Sequence, residues 1–283
     1  MSQSALTIYW ATDAHMIAEV DNKPSAPGSF LANRLFYTAS KKMEKFVARI
    51  NADRPDLVLF TGDAVNRFDP ASFQLFLRSW ERIDPAIRKE AVIGNHDLAD
   101  APESAHHDLA NMFGYGDRPA IAGSKFNQSF GLSGSQGAAR ILIVDTNMDE
   151  HGNHILTIPG LLKPEGLRFI EQELLQCPEQ LCLLVSHHGM ADNASHFDPA
   201  DGLAFKEMID SVKRRRPELV IVNLFGHNHR SGIREYTALG PNVKGYSIPP
   251  VVDNMIGYFA KVSITGIELH FELNELPYEE ADG

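Results

Sequence analysis

Apolar positions run along this chain in two rhythms. Nearly unbroken apolar runs at Leu6–Thr12, Leu57–Thr61, Ile141–Thr146, Leu181–Ser186 and Leu219–Phe225 predict strands buried on both faces, and the shorter Ala91–Ile93 joins them. Between them the apolar positions step by three and four. Leu35, Ala39, Met43, Phe46, Val47 and Ile50 predict a helix from Asn33 to Asn51, and Phe73, Phe76, Leu77 and Trp80 predict one over Pro70–Ile83. Pro164–Gln176 carries proline near its start, and Leu203–Arg216 ends in the basic run Lys213–Arg216, which suits the negative pole of a helix. Met16–Ser29 reads as a loop, and Ala99–Gly137 as irregular apart from a short helix beginning near His106 and His107. Ile233–Tyr236, Gly257–Val262 and Ile267–Leu273 read as β structure before an acidic tail. The repeated order of strand, polar loop and helix predicts the α/β class. With no internal repeat or linker, the expected organisation is one domain over 1–283, with a loop-rich insert at about 98–137 and a C-terminal β region at about 231–274.

Composition narrows the class. Of 283 residues, 43% are hydrophobic and 22% charged, which fits a globular chain and excludes disorder, collagen-like repetition or coiled coil as its description. The net charge of −11 would repel a phosphate backbone, so nucleic acid is not the expected partner. Cys177 and Cys182 are too few for a disulfide framework. The first residues lack a basic and apolar leader, and no apolar run reaches the ~20 residues that span a bilayer. The expectation is a cytoplasmic protein with no membrane partner; oligomeric state stays open.

Chemistry gathers where strands end. Asp13-Ala14-His15, Gly62-Asp63, Gly94-Asn95-His96-Asp97, His187-His188 and Gly226-His227-Asn228-His229 each follow an apolar run. Ligands of open α/β sheets bind beyond the carboxyl ends of the strands, so neighbouring strands would bring these clusters to one edge. Asp, His and Asn offer oxygen and nitrogen donors suited to Mn, Fe or Zn, and no thiolate accompanies them. Alternate residues leaving a strand point the same way, which predicts that Asp13 with His15, and His227 with His229, can share a cation. Two such pairs with a carboxylate between them could hold two ions and clamp an oxyanion. Taken singly, each residue has a plainer explanation: Asp63 as a helix cap, Asn95 as a turn residue, His15 or His187 as a strand-end histidine.

The ordered set DAH, GD, GNHD, H and GHNH, running from Asp13 to His229, resembles the calcineurin-like metallophosphoesterases. That resemblance implies the metallo-dependent phosphatase fold, a four-layer sandwich of two mixed β-sheets flanked by helices. It implies two divalent or trivalent metal ions, one on Asp13, His15, Asp63 and His229, the other on Asp63, Asn95, His187 and His227. A metal-bridging hydroxide would then attack phosphorus, His96 would give a proton to the leaving oxygen, and Asp97 would orient the His96 imidazole. The implied substrate is a small phosphorylated molecule: a phosphomonoester, a phosphodiester or a nucleotide.

Finer comparison bears on substrate. The opening Thr12–His15 with the stretch from Asn33 to Asp63 is similar to phosphoesterases related to the manganese-dependent ADP-ribose/CDP-alcohol pyrophosphatases, which carry Gln where this chain has His15. Gly62–Arg67 resembles the GDxVDRG signature of serine/threonine protein phosphatases, but Asn66 stands for its Asp, Phe68 for its Gly, and Ile93 for the Arg before GNHD. Within that match Arg67 would bind phosphate, as its planar fork suits a phosphoryl group. His188 and Arg230 are further candidates for substrate contact. The alternatives are a nucleoside-diphosphate-type pyrophosphatase or a nuclease of the same superfamily, or a non-catalytic metal-binding scaffold. An intact His96 favours the enzyme. His106 and His107 are expected on a solvated face, His151 and His154 in a polar hairpin, and His196 is a minor candidate for the pocket mouth.

Overall fold

The computed structural model describes residues 5–31, 33–102, 104–147, 159–191 and 197–279; His151, His154 and His196 lie outside them. In chain order the elements are β1 (Leu6–Ala11), β2 (Phe30–Leu31), β3 (Arg34–Leu35), α1 (Ala39–Asp53), β4 (Leu57–Thr61), α2 (Pro70–Trp80), β5 (Lys89–Val92), α3 (Ala105–Met112) and β6 (Gln128–Ser133). They continue with β7 (Ala138–Ile143), α4 (Pro164–Gln176), β8 (Leu181–Ser186), α5 (Pro199–Arg215), β9 (Val220–Phe225), β10 (Arg234–Tyr236), β11 (Lys244–Ser247), β12 (Ile256–Thr265) and β13 (Glu268–Pro277).

Two mixed sheets form, in the orders β13-β12-β1-β4-β5 and β10-β11-β9-β8-β7-β6. The central strands β1, β4 and β5 run parallel, as do β7, β8, β9 and β11, and the outer strands pair antiparallel. Alternation along each strand builds the layers. Leu6, Ile8, Trp10, Leu57 and Leu59 face Ile141, Leu183, Val185 and Leu224 between the sheets. The opposite face of the first sheet, Tyr9, Val58 and Phe60, packs on Met43, Phe46 and Ile50 of α1 and on Phe73, Phe76 and Trp80 of α2. On the second sheet Leu142, Cys182, Leu184 and Ile221 pack on Ile170 and Leu174 of α4 and Phe205 and Ile209 of α5. Strands covered on both faces explain the unbroken apolar runs in the sequence. The chain is therefore a four-layer α/β sandwich, the architecture that the resemblance implies.

Helix ends follow local chemistry. Asp69 and Asp198 cap α2 and α5, each accepting backbone N–H groups just past a proline in the first turn. Helix α1 begins at Ala39, later than periodicity suggests, because Arg34–Leu35 pairs with Phe30–Leu31 and Phe36–Thr38 forms a 3-10 turn. The irregular middle contains α3 and also the edge strand β6, whose half-polar pattern hid it. Cys177 and Cys182 are both buried and free, as packing residues. No helix among the described residues is long and apolar enough to cross a membrane.

Candidate active site

Parallel strands carry their ends to the same edge, and the five polar clusters meet there. Asp13 and His15 follow β1, Asp63 follows β4, Asn95 to Asp97 follow β5, His187 follows β8, and His227 and His229 follow β9. The expectation that pairs point together through strand alternation is corrected here. Asp13, His15, Asp63, His227 and His229 all lie beyond the strand ends and adopt left-handed backbone, with φ of 54°, 44°, 53°, 68° and 44°. Such a conformation costs a non-glycine residue about 1–3 kcal/mol and persists only where tertiary contacts over-determine it. Those contacts are visible: the N–H groups of Asp13 and His15 donate to the carbonyls of Gly62 and Asp63, at 3.0 and 2.9 Å. Close packing fixes the small residues as well. A Cβ on Gly94 would sit 2.1 Å from Asp63 Oδ1, so only glycine lets the two loops touch.

Two donor sets result, and Asp63 joins them. In the first, His15 Nε2 lies 3.0 Å from His229 Nε2, and Asp13 Oδ1 is 3.7 and 3.4 Å from those two nitrogens. In the second, Asn95 Oδ1 lies 3.1 Å from both His187 Nε2 and His227 Nδ1, which are 3.3 Å apart. Asp63 Oδ2 is 3.5 Å from His15 Nε2 and 3.4 Å from His187 Nε2. Asp13, His15, Asp63, Asn95 and His187 are buried, while His227 and His229 are partly open.

For His187 and His229 the partner on the far side of the ring settles which atom faces inward. His187 Nδ1 is 2.7 Å from the Thr61 carbonyl, an acceptor only, so Nδ1 carries a proton and Nε2 faces the cluster. His229 Nδ1 likewise meets Asp253 Oδ1 at 3.1 Å. Electrostatics report the same convergence. Burial disfavours charge on Asp13 and Asp63, yet the surrounding imidazoles outweigh it and hold both carboxyls well below their usual range. Burial also opposes charge on His187 and His229, but Asp63 and Asp13 lift them to about 9. On His15 burial outweighs the opposing pull of Asp13 and Asp63 and pushes the imidazole down to about 4. The site thus demands positive charge from a proton or a cation.

A cation fits. Ligands at ~2.1 Å from one ion and separated by right to tetrahedral angles lie ~3.0–3.4 Å apart, close to the nitrogen and oxygen spacings within each set. His15 Nδ1 is buried with no hydrogen-bond partner among the described residues. The donor set is hard and borderline, all oxygen and imidazole nitrogen.

A model of the calcineurin-like phosphoesterase family matches residues 6–231. This chain belongs to that family. Family membership makes it a metallophosphoesterase, a phosphoric ester hydrolase. Solved structures share the fold at low identity. A dimetal phosphatase of Danio rerio is 14% identical with a TM-score of 0.66, covering 98% of this chain and 100% of its own. A 5'-nucleotidase of Candida albicans is 14% identical with a TM-score of 0.56; it covers 99% of this chain, which spans 53% of that longer protein. GAP50, the anchor in the inner membrane complex of Plasmodium, is 10% identical with a TM-score of 0.53, over 99% of this chain and 91% of its own. No curated protein matches the sequence. A shared fold leaves substrate to the site and its loops.

The remaining expected site residues of this phosphoesterase divide. His96 reaches the cluster: its N–H donates to Asp63 Oδ1 at 2.9 Å, and its ring stands edge-on to His15, with centroids 4.7 Å apart. Asp97 does not orient the His96 ring as expected. Its oxygens accept the N–H groups of Val65 and Gly94, at 3.0 and 2.9 Å, and brace the two loops, while the Asn66 carbonyl takes His96 Nδ1 at 2.8 Å. Burial and nearby Asp63 raise the Asp97 carboxyl to about 7.

His188, expected at the substrate, is fully buried; its ring packs 4.6 Å from that of His227, and Nδ1 meets Thr146 Oγ1 at 2.9 Å. Arg67 is 66% exposed and faces Asp100 at 3.9 Å. Arg230 is exposed beside His229, at the mouth of a cavity. His106 is not solvated as expected: it is half-buried, with Nε2 3.2 Å from Asp145 Oδ2. His107 is exposed.

Sequence reasoning missed Asp253, the partner of His229. Its signal was present, since an acidic residue ends the apolar run Ile248–Val252 just as Asp13 ends the first. Lys42 was missed too; wholly buried in α1, its Nζ donates to the carbonyls of Val252, Asp253 and Asn254 at 3.3, 3.4 and 2.7 Å.

Proposed function

We propose that this phosphoesterase hydrolyses a small phosphomonoester, phosphodiester or nucleotide at a dinuclear metal centre. The observation that carries this is the placing of Asp63 Oδ2 between two donor sets, 3.5 Å from His15 Nε2 and 3.4 Å from His187 Nε2. Asp13, His15, Asp63 and His229 would hold one ion, and Asp63, Asn95, His187 and His227 the other. Mn, Fe or Zn suits these donors. When bound, such ions supply Lewis-acid stabilisation of phosphoryl charge and a water of lowered pKa.

The chain's own residues do the rest. The Thr61 carbonyl and Asp253 hold His187 and His229 in the tautomer and orientation a ligand needs. The Asn66 carbonyl accepts Nδ1–H of His96, so that Nε2, when the ring is in its protonated imidazolium form, would donate to a phosphoryl oxygen or give its proton to the leaving oxygen, returning to the neutral ring. Asp97 ties the Val65 and Gly94 backbones together, so that Asp63, Asn95 and His96 keep their spacing. Cations also offset the buried carboxylates, which lets a chain of net charge −11 accept an anionic substrate.

The test is hydrolysis of p-nitrophenyl phosphate and bis-p-nitrophenyl phosphate by metal-stripped protein, with Mn, Fe, Zn, Ni or Mg added back. Restored turnover with about two ions bound supports the proposal. Two bound ions without turnover on these or on nucleotides would overturn the hydrolytic role and favour the scaffold.

A further inference from the structure

A cavity of about 410 Å³ opens beside His229 and Asp253. That volume lies within the range of small-molecule sites, ~300–1,000 Å³. Its walls are mainly apolar: Pro249 and Pro250 are buried on one side, and Tyr258 and Leu273 come from β12 and β13. Its polar lining residues are Asn33, Asp253 and Asn254, with His229, Arg230 and Ser231 on the side of the cluster. Hydrolysis of a bare phosphate ester at the metal cluster has no use for such a space. A substrate whose phosphorus sits by His229 would place its leaving group there.

We infer that this cavity is the leaving-group subsite and that it takes a nucleoside, which deepens the phosphoesterase proposal and rests on it. Proline rings, Tyr258 and Leu273 offer flat apolar surface for a base, and aromatic side chains stack on any base face. Asn33 and Asn254 provide amide donors and acceptors for ring heteroatoms and sugar hydroxyls. Arg230, which lines the cavity next to His229, stands where it can meet the phosphate that joins the two subsites. The origin of the walls points the same way. The metal-ligand candidates fall within residues 6–231, which the family model matches, whereas Pro249, Pro250, Asn254, Tyr258 and Leu273 lie beyond them. Shared chemistry thus comes from one part of the chain, and most of the apolar wall from the segment after it, with Asn33 and Arg230 added from the first.

The experiment compares kcat/KM for nucleoside 5'-monophosphates with that for β-glycerophosphate, using metal-loaded protein. Isothermal titration with free adenosine, cytidine and uridine measures the subsite without chemistry. Wild type is expected to prefer nucleotide, through KM. Tyr258→Ala is expected to lower the nucleotide-to-glycerophosphate ratio by about tenfold or more, as for loss of one stacking partner. Leu273→Trp, which fills the cavity, is expected to abolish nucleoside binding while unfolding at a temperature near that of wild type. Glycerophosphate hydrolysis with no nucleotide preference, or a ratio unchanged in both variants, would overturn the subsite and leave the phosphoesterase proposal standing. Nucleoside binding that Leu273→Trp abolishes, without hydrolysis of any ester, would uphold the cavity assignment and overturn the hydrolytic one.

Discussion

Gly226→Ala is the sharpest probe of the cluster, because the space it would fill is occupied by fixed atoms. A Cβ there would lie 2.0 Å from Thr12 Oγ1, 2.8 Å from Asp13 Oδ2 and 2.9 Å from the Thr61 carbonyl. None of these yields easily. Thr12 Oγ1 donates to Asp13 Oδ2 at 2.6 Å, Thr61 ends β4, and Asp13 Oδ2 accepts the His227 N–H at 3.0 Å. Overpacking costs about 1–3 kcal/mol. Losing the hydrogen bond from Thr12 to a charged carboxylate adds about 1.5–3 kcal/mol. The sum of about 2.5–6 kcal/mol corresponds to a fall of about 4–10 °C in Tm for a chain of this size, at about 2.1 cal/mol/K per residue. Thermal unfolding of metal-stripped protein measures that fall, and metal titration measures the accompanying loss of affinity as Asp13 and His227 part. Thr12→Ala placed on top removes the nearest atom but leaves the Thr61 carbonyl, so it should restore part of the loss, non-additively. If Gly226→Ala unfolds within about 2 °C of wild type and binds metal as well, the packing described for this loop is wrong.

Three further outcomes follow from particular contacts. Asp253→Asn removes the charge that holds His229 Nδ1 at 3.1 Å and should weaken metal affinity about 10–100-fold by titration, with the fold intact. His96→Ala should keep its metals by elemental analysis yet lose about 10²–10⁴ in kcat; full turnover would remove His96 from the chemistry. Burial pulls the Lys42 amine down to about 7 against the opposing pull of Asp253. An unfolded lysine stays protonated to about pH 10.4, so between pH 7 and 10 the unfolded state binds more protons and stability rises with pH. Denaturant midpoints should climb across that window in wild type and stay flatter in Lys42→Met, where parallel curves would contradict the buried amine.

The layers and the order of the motifs were legible from local pattern. Runs such as Leu57–Thr61 announce strands covered on both faces, and stripes such as Met43, Phe46, Val47 and Ile50 announce helices, because burial imposes the period of the element. Residue type and spacing, with their place after strands, likewise marked the metal-ligand candidates from Asp13 to His229. What pattern could not supply is the set of contacts made between distant segments. The left-handed turns at Asp13, His15, Asp63, His227 and His229 run against intrinsic preference, and are held by hydrogen bonds such as Asp13 N–H to Gly62 carbonyl and His227 N–H to Asp13. Asp253 serves His229, Asn66 rather than Asp97 takes the His96 ring, and Lys42 secures a loop some 210 positions away. Local sequence determines which element a residue joins, since periodicity acts within one strand or helix. Only the packed sheets decide which side chain meets a given imidazole nitrogen, since that partner comes from another strand end.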